Sequence, residues 1–305
     1  MSQSHHQGTL YVVATPIGNL GDITLRALEV LKSVDAIAAE DTRHTSGLLG
    51  HFGISKKLIA VHQHNEQQSA ESLLVRLQAG ESIALVTDAG TPAVSDPGAI
   101  VVNVLQKAGV KIVPIPGASA VIAALSASGI TNNGFHFIGF LPASGSQRRK
   151  ALEAVKTQTS TLVFYEAPHR IIECVEDLST VFGDARRMTI AREITKTFET
   201  FHHCLLGEAK NWLMSDPNQQ RGEFVLLIEA SEDTDDNIAE VEAERVLRLL
   251  LADLPLKQAV SLAVEITRAK KNWVYELALS IKAATPSVAK KTAFKSNSAI
   301  LKAGS

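Results

Sequence analysis

Two α/β domains followed by a small helical unit make up the fold class that this sequence predicts. Three observations carry it. Short β-rich runs alternate with runs of helical period through the first 140 residues, and the alternation resumes after a Gly/Pro-containing break at 134–145. Half of residues 229–244 are then acidic, and the stretch from there to about residue 282 has helical period alone. Length agrees, since 305 residues at about 150 per domain allow roughly two domains.

The elements run in order along the chain. Leu10–Ala14 is apolar and β-rich. Ile23, Ala27, Leu28, Leu31 and Val34 share one helical face, predicting a helix over Ile23–Val34. Asp35–Ala39 and Leu58–Val61 read as strands, Gln67–Leu77 as a helix closed by Gly80, and Ile83–Thr87 as a strand. Helix Ile100–Lys107, strand Lys111–Pro114 and helix Ala118–Ala127 complete the first set. Strands separated by helices need crossover connections, hence a largely parallel sheet covered on both faces. The second set runs from strand Phe135–Leu141 through a hinge at Pro142–Gly145 to helix Gln147–Thr157. Strand Thr161–Tyr165, helix Ile171–Val181 and strands Arg186–Ala191 and Glu223–Glu229 come next. Helices are expected over Ile238–Leu251, Leu256–Arg268 and Asn272–Lys282. The expected divisions are an α/β domain over 8–118, a second over 119–230, an acidic solvated linker over 231–237, a helical unit over 238–284 and a basic tail over 285–305.

Composition narrows the class. Hydrophobic residues make up 45% and charged residues 20% of the chain, enough for a buried core. No apolar run is long enough for a membrane span, and the polar opening MSQSHHQ leads straight into a strand, so no secretory signal is expected. The two cysteines, Cys174 and Cys204, exclude a disulfide scaffold and fit a reducing cytoplasm. They have no CxxC context and read as buried or incidental thiols. His62 and His64, and His202 and His203, lack a third ligand at zinc-like spacing, so no metal is expected. The net charge of −2 hides an asymmetry. Residues 254–305 hold nine Lys or Arg against Glu265 and Glu276, a net of +7, which leaves −9 on the rest. A basic end on an acidic body suits a polyanion such as nucleic acid, or a solvated tail.

Chemistry is sought where ligands bind in open α/β sheets, beyond the carboxyl ends of strands. The loop Thr15-Pro16-Ile17-Gly18-Asn19-Leu20-Gly21-Asp22 lacks GxGxxG, and the chain has no GxxxxGK[ST], so neither a dinucleotide fingerprint nor a P-loop is present. The loop 87–98, TDAGTPAVSDPG, combines two glycines and two prolines directly after a strand, which brings backbone groups close to a ligand. Pro116-Gly117-Ala118-Ser119-Ala120 places small residues at a helix start, where free N–H groups accept polar ligand atoms or the helix packs closely.

These loops resemble those of the tetrapyrrole-methylase-like (class III) S-adenosylmethionine methyltransferases. LYVVATPIGNLGDITLR at 10–26, AEDTRHT at 39–45, TDAGTPAVSDPG at 87–98 and PGASA at 116–120 carry the likeness, with YEAPHR at 165–170, REITKTFE at 192–199 and RGEFVLL at 221–227. They are most similar to the branch that methylates the ribose 2′-hydroxyl of a cytidine in the decoding region of bacterial 16S rRNA. The resemblance runs through about residues 9–282. It implies two α/β domains of the tetrapyrrole methylase type, S-adenosylmethionine in the cleft between them, a homodimer, and rRNA within the small ribosomal subunit as substrate, in the cytoplasm. It places the cofactor near Pro16, Ile17 and Gly18, near Asp88, Ala89, Gly90 and Val94, and near Ser119 and Ala120, with Glu166 and the segment around Arg192 closing the pocket. Tetrapyrrole enzymes are richer in glycine at the first loop and read Gly-Asp-Pro at the second. Pro16-Ile17-Gly18 and Thr87-Asp88-Ala89 depart from that, which argues against a porphyrinoid acceptor. The alternatives are a small-molecule methyltransferase of the tetrapyrrole type and a non-catalytic RNA-binding assembly protein.

Methyl transfer to a hydroxyl needs alignment and a route for the proton. YEAPHR offers Glu166, His169 and Arg170, and REITKTFE offers Arg192, Glu193, Lys196 and Glu199. An acid, a His and several cations suit proton removal and phosphate placement, or an inter-domain ion-pair network. Asp88 is expected either to attract the sulfonium or to cap its own loop. Asp41, Arg43 and His44 line an RNA entrance, or Asp41 or Thr42 caps a helix. Arg268, Lys270 and Lys271 beside Trp273 and Tyr275 suit phosphates and unpaired bases, although the two aromatics equally suit packing.

Overall fold

A computed structural model describes residues 8–62, 65–131, 134–230 and 235–284. His64, residues 231–234 of the expected linker and the basic tail from residue 285 lie outside the described residues. The chain divides into two compact units, 1–231 and 232–305.

The first unit holds two five-stranded sheets. Strands β1 (Thr9–Val13), β2 (Ala36–Ala39), β3 (Lys57–Ala60), β4 (Ile83–Val86) and β5 (Lys111–Ile115) form one, in the order β3-β2-β4-β1-β5. Every pairing in it is parallel. Helices α1 (Leu25–Ser33), α2 (Thr42–His51), α3 (Glu66–Gln78), α4 (Ala99–Lys107) and α5 (Ala120–Ala127) connect and follow these strands. Central β2 and β4 are buried at every residue, as parallel strands between two helical layers must be. Their alternation sorts the core. Ile83 and Leu85 face Leu73, Leu77, Val101 and Leu105. Ala84 and Val86 face Leu31, Leu49 and Ala27 on the other side.

Strands β6 (Phe135–Phe140), β7 (Thr161–Glu166), β8 (Arg187–Arg192), β9 (Thr200–Leu205) and β10 (Phe224–Ile228) form the second sheet, ordered β6-β7-β10-β8-β9. Only β6–β7 is parallel; the other three pairings are antiparallel. Helices α6 (Gly145–Glu153), α7 (Ile171–Phe182) and α8 (Leu206–Ser215) cover one face over Leu162, Phe164, Ile190 and Leu226. Val121 and Ala124 of α5 cover the other, over Val163, Ala191, Val225 and Leu227. Each fully buried Val, Leu, Ile or Phe among them stabilises by about 1.5–3 kcal/mol.

The structure adds elements to the sequence expectations. Helix α2 occupies the segment after Asp41, and its polar composition buries only Thr45 and Leu49. The Arg43 N–H donates to the Asp41 carboxylate at 2.8 Å, so Asp41 is a helix cap. Strand β9 and helix α8 fill the stretch between the last two expected strands.

In the second unit, α9 (Asp235–Asp253) begins inside the stretch expected to be a solvated linker. Its acids are compatible with helix because Arg245 pairs with Glu242 and Arg248 with Glu244, one turn apart. With α10 (Leu256–Thr267) and α11 (Lys271–Ala284) it encloses Ala243, Leu247, Ala259, Ala263, Val274 and Ala278. Trp273 packs against this core, while Tyr275 is exposed. Among the described residues no helix is long and apolar enough to cross a membrane.

One buried ion pair ties α6 to α7. Arg148 is 2% exposed, and its Nε donates to Asp177 at 2.6 Å while Arg149 donates to the other oxygen at 2.8 Å. Removing one partner of such a pair leaves an uncompensated charge, whereas an apolar replacement of both is tolerated. Asp177→Ala should therefore destabilise by about 3–5 kcal/mol, and the double change Arg148→Met/Asp177→Leu should recover most of it. Chemical denaturation of the three proteins checks this; equal loss in single and double variants would refute it.

Candidate active site

Three loops leave the carboxyl ends of β1, β4 and β5, and backbone contacts lace them together. Thr15 N–H donates to the Gly90 carbonyl at 2.9 Å and Gly90 N–H returns to Thr15 at 3.1 Å. The Thr15 hydroxyl donates to the Thr87 carbonyl. The Thr91 hydroxyl donates to the Ala118 carbonyl at 3.1 Å. Gly117 is required because a Cβ there would lie 2.8 Å from the Ala14 Cβ. The loops thus act as one rigid wall.

The second sheet supplies the facing wall, and a cleft of about 310 Å³ lies between them. The first wall contributes Ile17, Ala89, Gly90, Thr91, Val94, Asp96, Ser119 and Ala120. The second contributes Phe140, Tyr165, Glu166, Ala167, Pro168, Ile194, Glu223, Phe224 and Val225. Tyr165 meets Phe137 and Phe140 edge to face, and burial pushes its hydroxyl up to about 12. The cleft is mostly apolar with a few polar groups, the usual make-up of a small-molecule site.

Of the residues expected near the cofactor, Ile17, Ala89, Gly90, Val94, Ser119 and Ala120 reach this cleft, as does Glu166. Pro16 is buried behind the first loop. Gly18 backs onto the Lys196 stem, where a Cβ would meet Cγ at 2.6 Å. Asp88 lines a separate polar pocket of about 830 Å³, with Glu40, Asp41, Arg43, His62, Glu66, Ser95 and Asp96. Its carboxylate accepts the Asp41 N–H at 3.1 Å. Burial raises the Asp88 carboxyl above its ordinary range; the Asp41 N–H lowers it, and Glu40 and Asp41 add to the rise.

The residues considered for catalysis separate by their partners. Glu166 is 2% exposed. Its Oε1 accepts from the Ala167 N–H and from Arg170, each at 2.8 Å, while Oε2 is buried without a partner. Burial, and next the Glu166 carboxylate, hold the Cys174 thiol well above its ordinary value. His169 is exposed on the turn after β7. Arg192 is 7% exposed, and its guanidinium donates to the carbonyls of Arg221, Phe198 and Asn218 at 2.6, 3.1 and 2.8 Å, holding two loops together. Lys196 bridges Glu193 at 2.8 Å and Glu223 at 2.6 Å. Burial pushes the Glu193 carboxyl up, but Lys196 and the Glu223 N–H outweigh it and leave it low. Burial likewise lowers Lys196, and its two carboxylate partners outweigh that and leave it raised. These groups, Glu166 apart, shape the wall and do not line the cleft.

Known proteins place this architecture. The model of the tetrapyrrole (corrin/porphyrin) methylases matches residues 9–210, and that of the RsmI C-terminal HTH domain matches residues 237–282. The ribosomal RNA small subunit methyltransferase I of Escherichia coli O157:H7 is 51% identical over 278 residues, covering 91% of this chain and 97% of that one. The chain belongs to the ribosomal RNA small subunit methyltransferase I family. The Pseudomonas aeruginosa member is 52% identical over 274 residues, 89% of this chain and 97% of its own. Among solved structures, uroporphyrin-III C-methyltransferase from Thermus thermophilus, complexed with S-adenyl homocysteine, superposes with a TM-score of 0.52. It is 18% identical and covers 77% of this chain and all of that one. Diphthine synthase gives 0.53 at 16% identity, covering 73% of this chain and 90% of its own. The fold is thus that of S-adenosylmethionine-dependent methyltransferases.

Asp96 was not among the sequence candidates, although it lies in the loop 87–98. It lines both the apolar cleft and the polar pocket. Burial, and then Glu40, push its carboxyl up to about 6 from an ordinary 3.8; the Thr87 hydroxyl opposes them and Asp88 adds to the rise. A carboxyl whose folded value is raised binds its proton more tightly folded than unfolded. Stability is therefore lost as pH climbs from about 4 through about 6. Partial exposure reduces the effect to about 1 kcal/mol. Asp96→Asn should melt higher than the native protein at pH 8, with the gain shrinking by pH 5. Thermal melts at the two pH values check this, and an equal gain at both would contradict it.

Proposed function

We propose that this chain is a cytoplasmic S-adenosylmethionine-dependent rRNA methyltransferase that methylates the ribose 2′-hydroxyl of a cytidine in the decoding region of 16S rRNA. In this reading the small ribosomal subunit is the substrate, the enzyme acts as a homodimer, and no metal takes part. The observation that carries it is identity of about half the residues across 91% of the chain with an rRNA small subunit methyltransferase. The rRNA specificity is supported by that identity extending through both sheets and the helical unit.

The cleft suits the cofactor on physical grounds. Gly90 is left-handed at φ 82°, and a Cβ there would approach Ile17 at 3.3 Å. Small residues at Ala89, Gly90 and Ala120 leave backbone groups open to a ligand. The unpartnered Glu166 Oε2 offers an acceptor to a buried donor. Bound there, S-adenosylmethionine supplies a methyl group activated by a sulfonium. Ile17, Ala89, Val94, Ser119 and Ala120 hold it from one side and Glu166 from the other, with Arg170 fixing the carboxylate. Arg192, Glu193 and Lys196 hold the loop that carries Ile194, and Asp88 shapes the acceptor side. Methyl transfer then requires alignment above all, and orientation can contribute about 7–11 kcal/mol to such reactions. Among the described residues no cluster of His, Cys, Asp or Glu could hold a metal ion. The helical unit is read as the RNA grip. Arg268 and Lys271 stand at the turn between α10 and α11, beside exposed Tyr275.

Calorimetry should show S-adenosylmethionine binding that survives EDTA. Mass mapping of rRNA from cells with and without the gene should show loss of one ribose methyl group on a 16S cytidine; an unchanged map would refute the reading. Truncation after Ala230 should leave cofactor affinity intact while RNA binding weakens. Each phosphate neutralised adds about 0.7–0.9 to the log–log salt slope, so loss of some three contacts flattens it by about 2. An unchanged slope would rule out the helical unit as the grip.

A further inference from the structure

Among the described residues that line the apolar cleft, Asp96 alone also lines the polar pocket beside it. If the methyl donor occupies the first cavity, the acceptor must approach from a side where its hydroxyl can reach the methyl carbon. The junction of the two cavities is such a place, and the loop 87–98 holds a carboxylate there. The position is imposed by backbone. Ala93 and Ser95 are both left-handed, at φ 66°, and the Ala93 N–H donates to the Pro97 carbonyl at 3.4 Å. Ser95 is fitted against Gly139 of β6, where a Cβ would lie 2.9 Å from its hydroxyl oxygen. Non-glycine residues in such conformations persist only where the surroundings over-determine them, and they cluster at working sites.

We infer that Asp96 is the general base of the reaction, removing the proton from the acceptor hydroxyl as its oxygen attacks the methyl carbon. This rests on the methyl-transfer reading above. The step balances: an O–CH₃ bond forms, the S–CH₃ bond breaks with its electron pair staying on sulfur, and the hydroxyl proton passes to the Asp96 carboxylate. That proton then leaves to solvent through the polar pocket.

The other two carboxylates lining the cleft are ion-paired. Glu166 is tied to Arg170 and Glu223 to Lys196. A carboxylate whose oxygen is engaged by a cation is less free to take up a substrate proton. Asp96 has the opposite surroundings. Glu40 and Asp88 act on it from the first wall, Tyr165 faces it from the second sheet, and Arg43 and His62 stand on the shared pocket. Its proton affinity is raised to about 6, close to the value at which a base is both ionised and effective near neutral pH. A cationic donor in the cleft lowers it, so the ionisation controlling the reaction falls at or below pH 6.

The test is single-turnover methyl transfer to undermethylated small subunits, followed from pH 5 to 8.5, with S-adenosylmethionine affinity measured on the same samples. The native rate should fall tenfold per pH unit below a break at or under about pH 6 and level off above it. Asp96→Asn should lower the rate at pH 8 by about 100-fold or more, lose the break, and bind the cofactor within about threefold of native. A loss under about tenfold, a surviving break, or affinity falling in parallel with rate would overturn the assignment. The native profile is a second, independent reading: a break above about pH 6 overturns it whatever the variant does. Ribose methylation by the native protein with no dependence on Asp96 defeats this inference alone. No ribose methylation at all defeats the parent reading instead.

Discussion

The cleft depends on backbone held in a conformation that its residues do not favour. Ala93, Ser95, Glu193 and Thr195 all have positive φ, between 51° and 69°. None is glycine, and each costs about 1–3 kcal/mol. Two stand in the loop after β4 and two in the loop after β8, one pair on each wall. The residues between or beside them, Val94, Asp96 and Ile194, are those that reach the cleft. Supports surround each pair. Glu193 accepts from Lys196 and from the Glu223 N–H at 3.0 Å, and the Thr195 N–H donates to Glu199 at 2.7 Å. Gly222, at φ 91°, leaves the space for Glu193, since a Cβ there would lie 2.4 Å from its carboxyl carbon. Arg192 ties the same loop, at the Phe198 carbonyl, to the Asn218 and Arg221 carbonyls of the loop before β10. The ion-pair network that surrounds REITKTFE is therefore what keeps the second wall in shape.

Carboxylates on the first wall divide into two kinds. Glu66 is 6% exposed, yet its Oε2 accepts the N–H groups of Gly98 and Ile100 at 3.0 and 3.1 Å. Those are free donors at the start of α4, so a residue of α3 caps the neighbouring helix and its negative charge complements the positive end of the helix dipole. That carboxylate stabilises the loop's far end. Glu40 accepts the Thr87 hydroxyl at 2.6 Å, and with Asp88 and Asp96 it gathers negative charge at one point. Such crowding works against stability and disfavours phosphate, so in the proposed reading RNA phosphates are held elsewhere while a ribose or base enters. In the proposed reading, the net +7 of residues 254–305 answers that requirement.

The sequence was most informative where local pattern and tertiary environment agree. The unbroken apolar run at Ile83–Val86 suits a strand buried on both faces, and Gly/Pro-rich loops after β1, β4 and β5 marked one wall of the cleft. Less was legible where packing decides. Helix α2 has two glycines and only Thr45 and Leu49 inside, so its apolar signal is faint. Strand β9 is an edge strand with two histidines, exposed at His203 and half-buried elsewhere. Helix α8 did leave a trace, since Leu206, Ala209 and Leu213 are buried at helical spacing. The distinction between Asp88 and Asp96 was not visible at all. Both occupy the same loop, and the left-handed turns at Ala93 and Ser95 are what bring one of them to the cleft.

Under the proposed function, the loop 87–98 is where one fold can be adapted to different acceptors. Uroporphyrin-III C-methyltransferase and diphthine synthase share this architecture at TM-scores of 0.52 and 0.53, while their names describe different chemistry. In the proposed reading the sheets align the donor, and in-line transfer makes few other demands on them. What must change with the acceptor is the far side of the methyl group. Here the same twelve-residue loop forms part of both cavities, with Ala89, Gly90 and Val94 on the cleft and Asp88, Ser95 and Pro97 on the polar pocket. If the cleft takes the donor and the pocket the acceptor, as proposed, a substitution in it cannot alter acceptor contacts without disturbing the donor's wall. That coupling accounts for a loop held so tightly, by Thr15, Glu66, Ala118 and Gly139, at a place where most connections are free to vary.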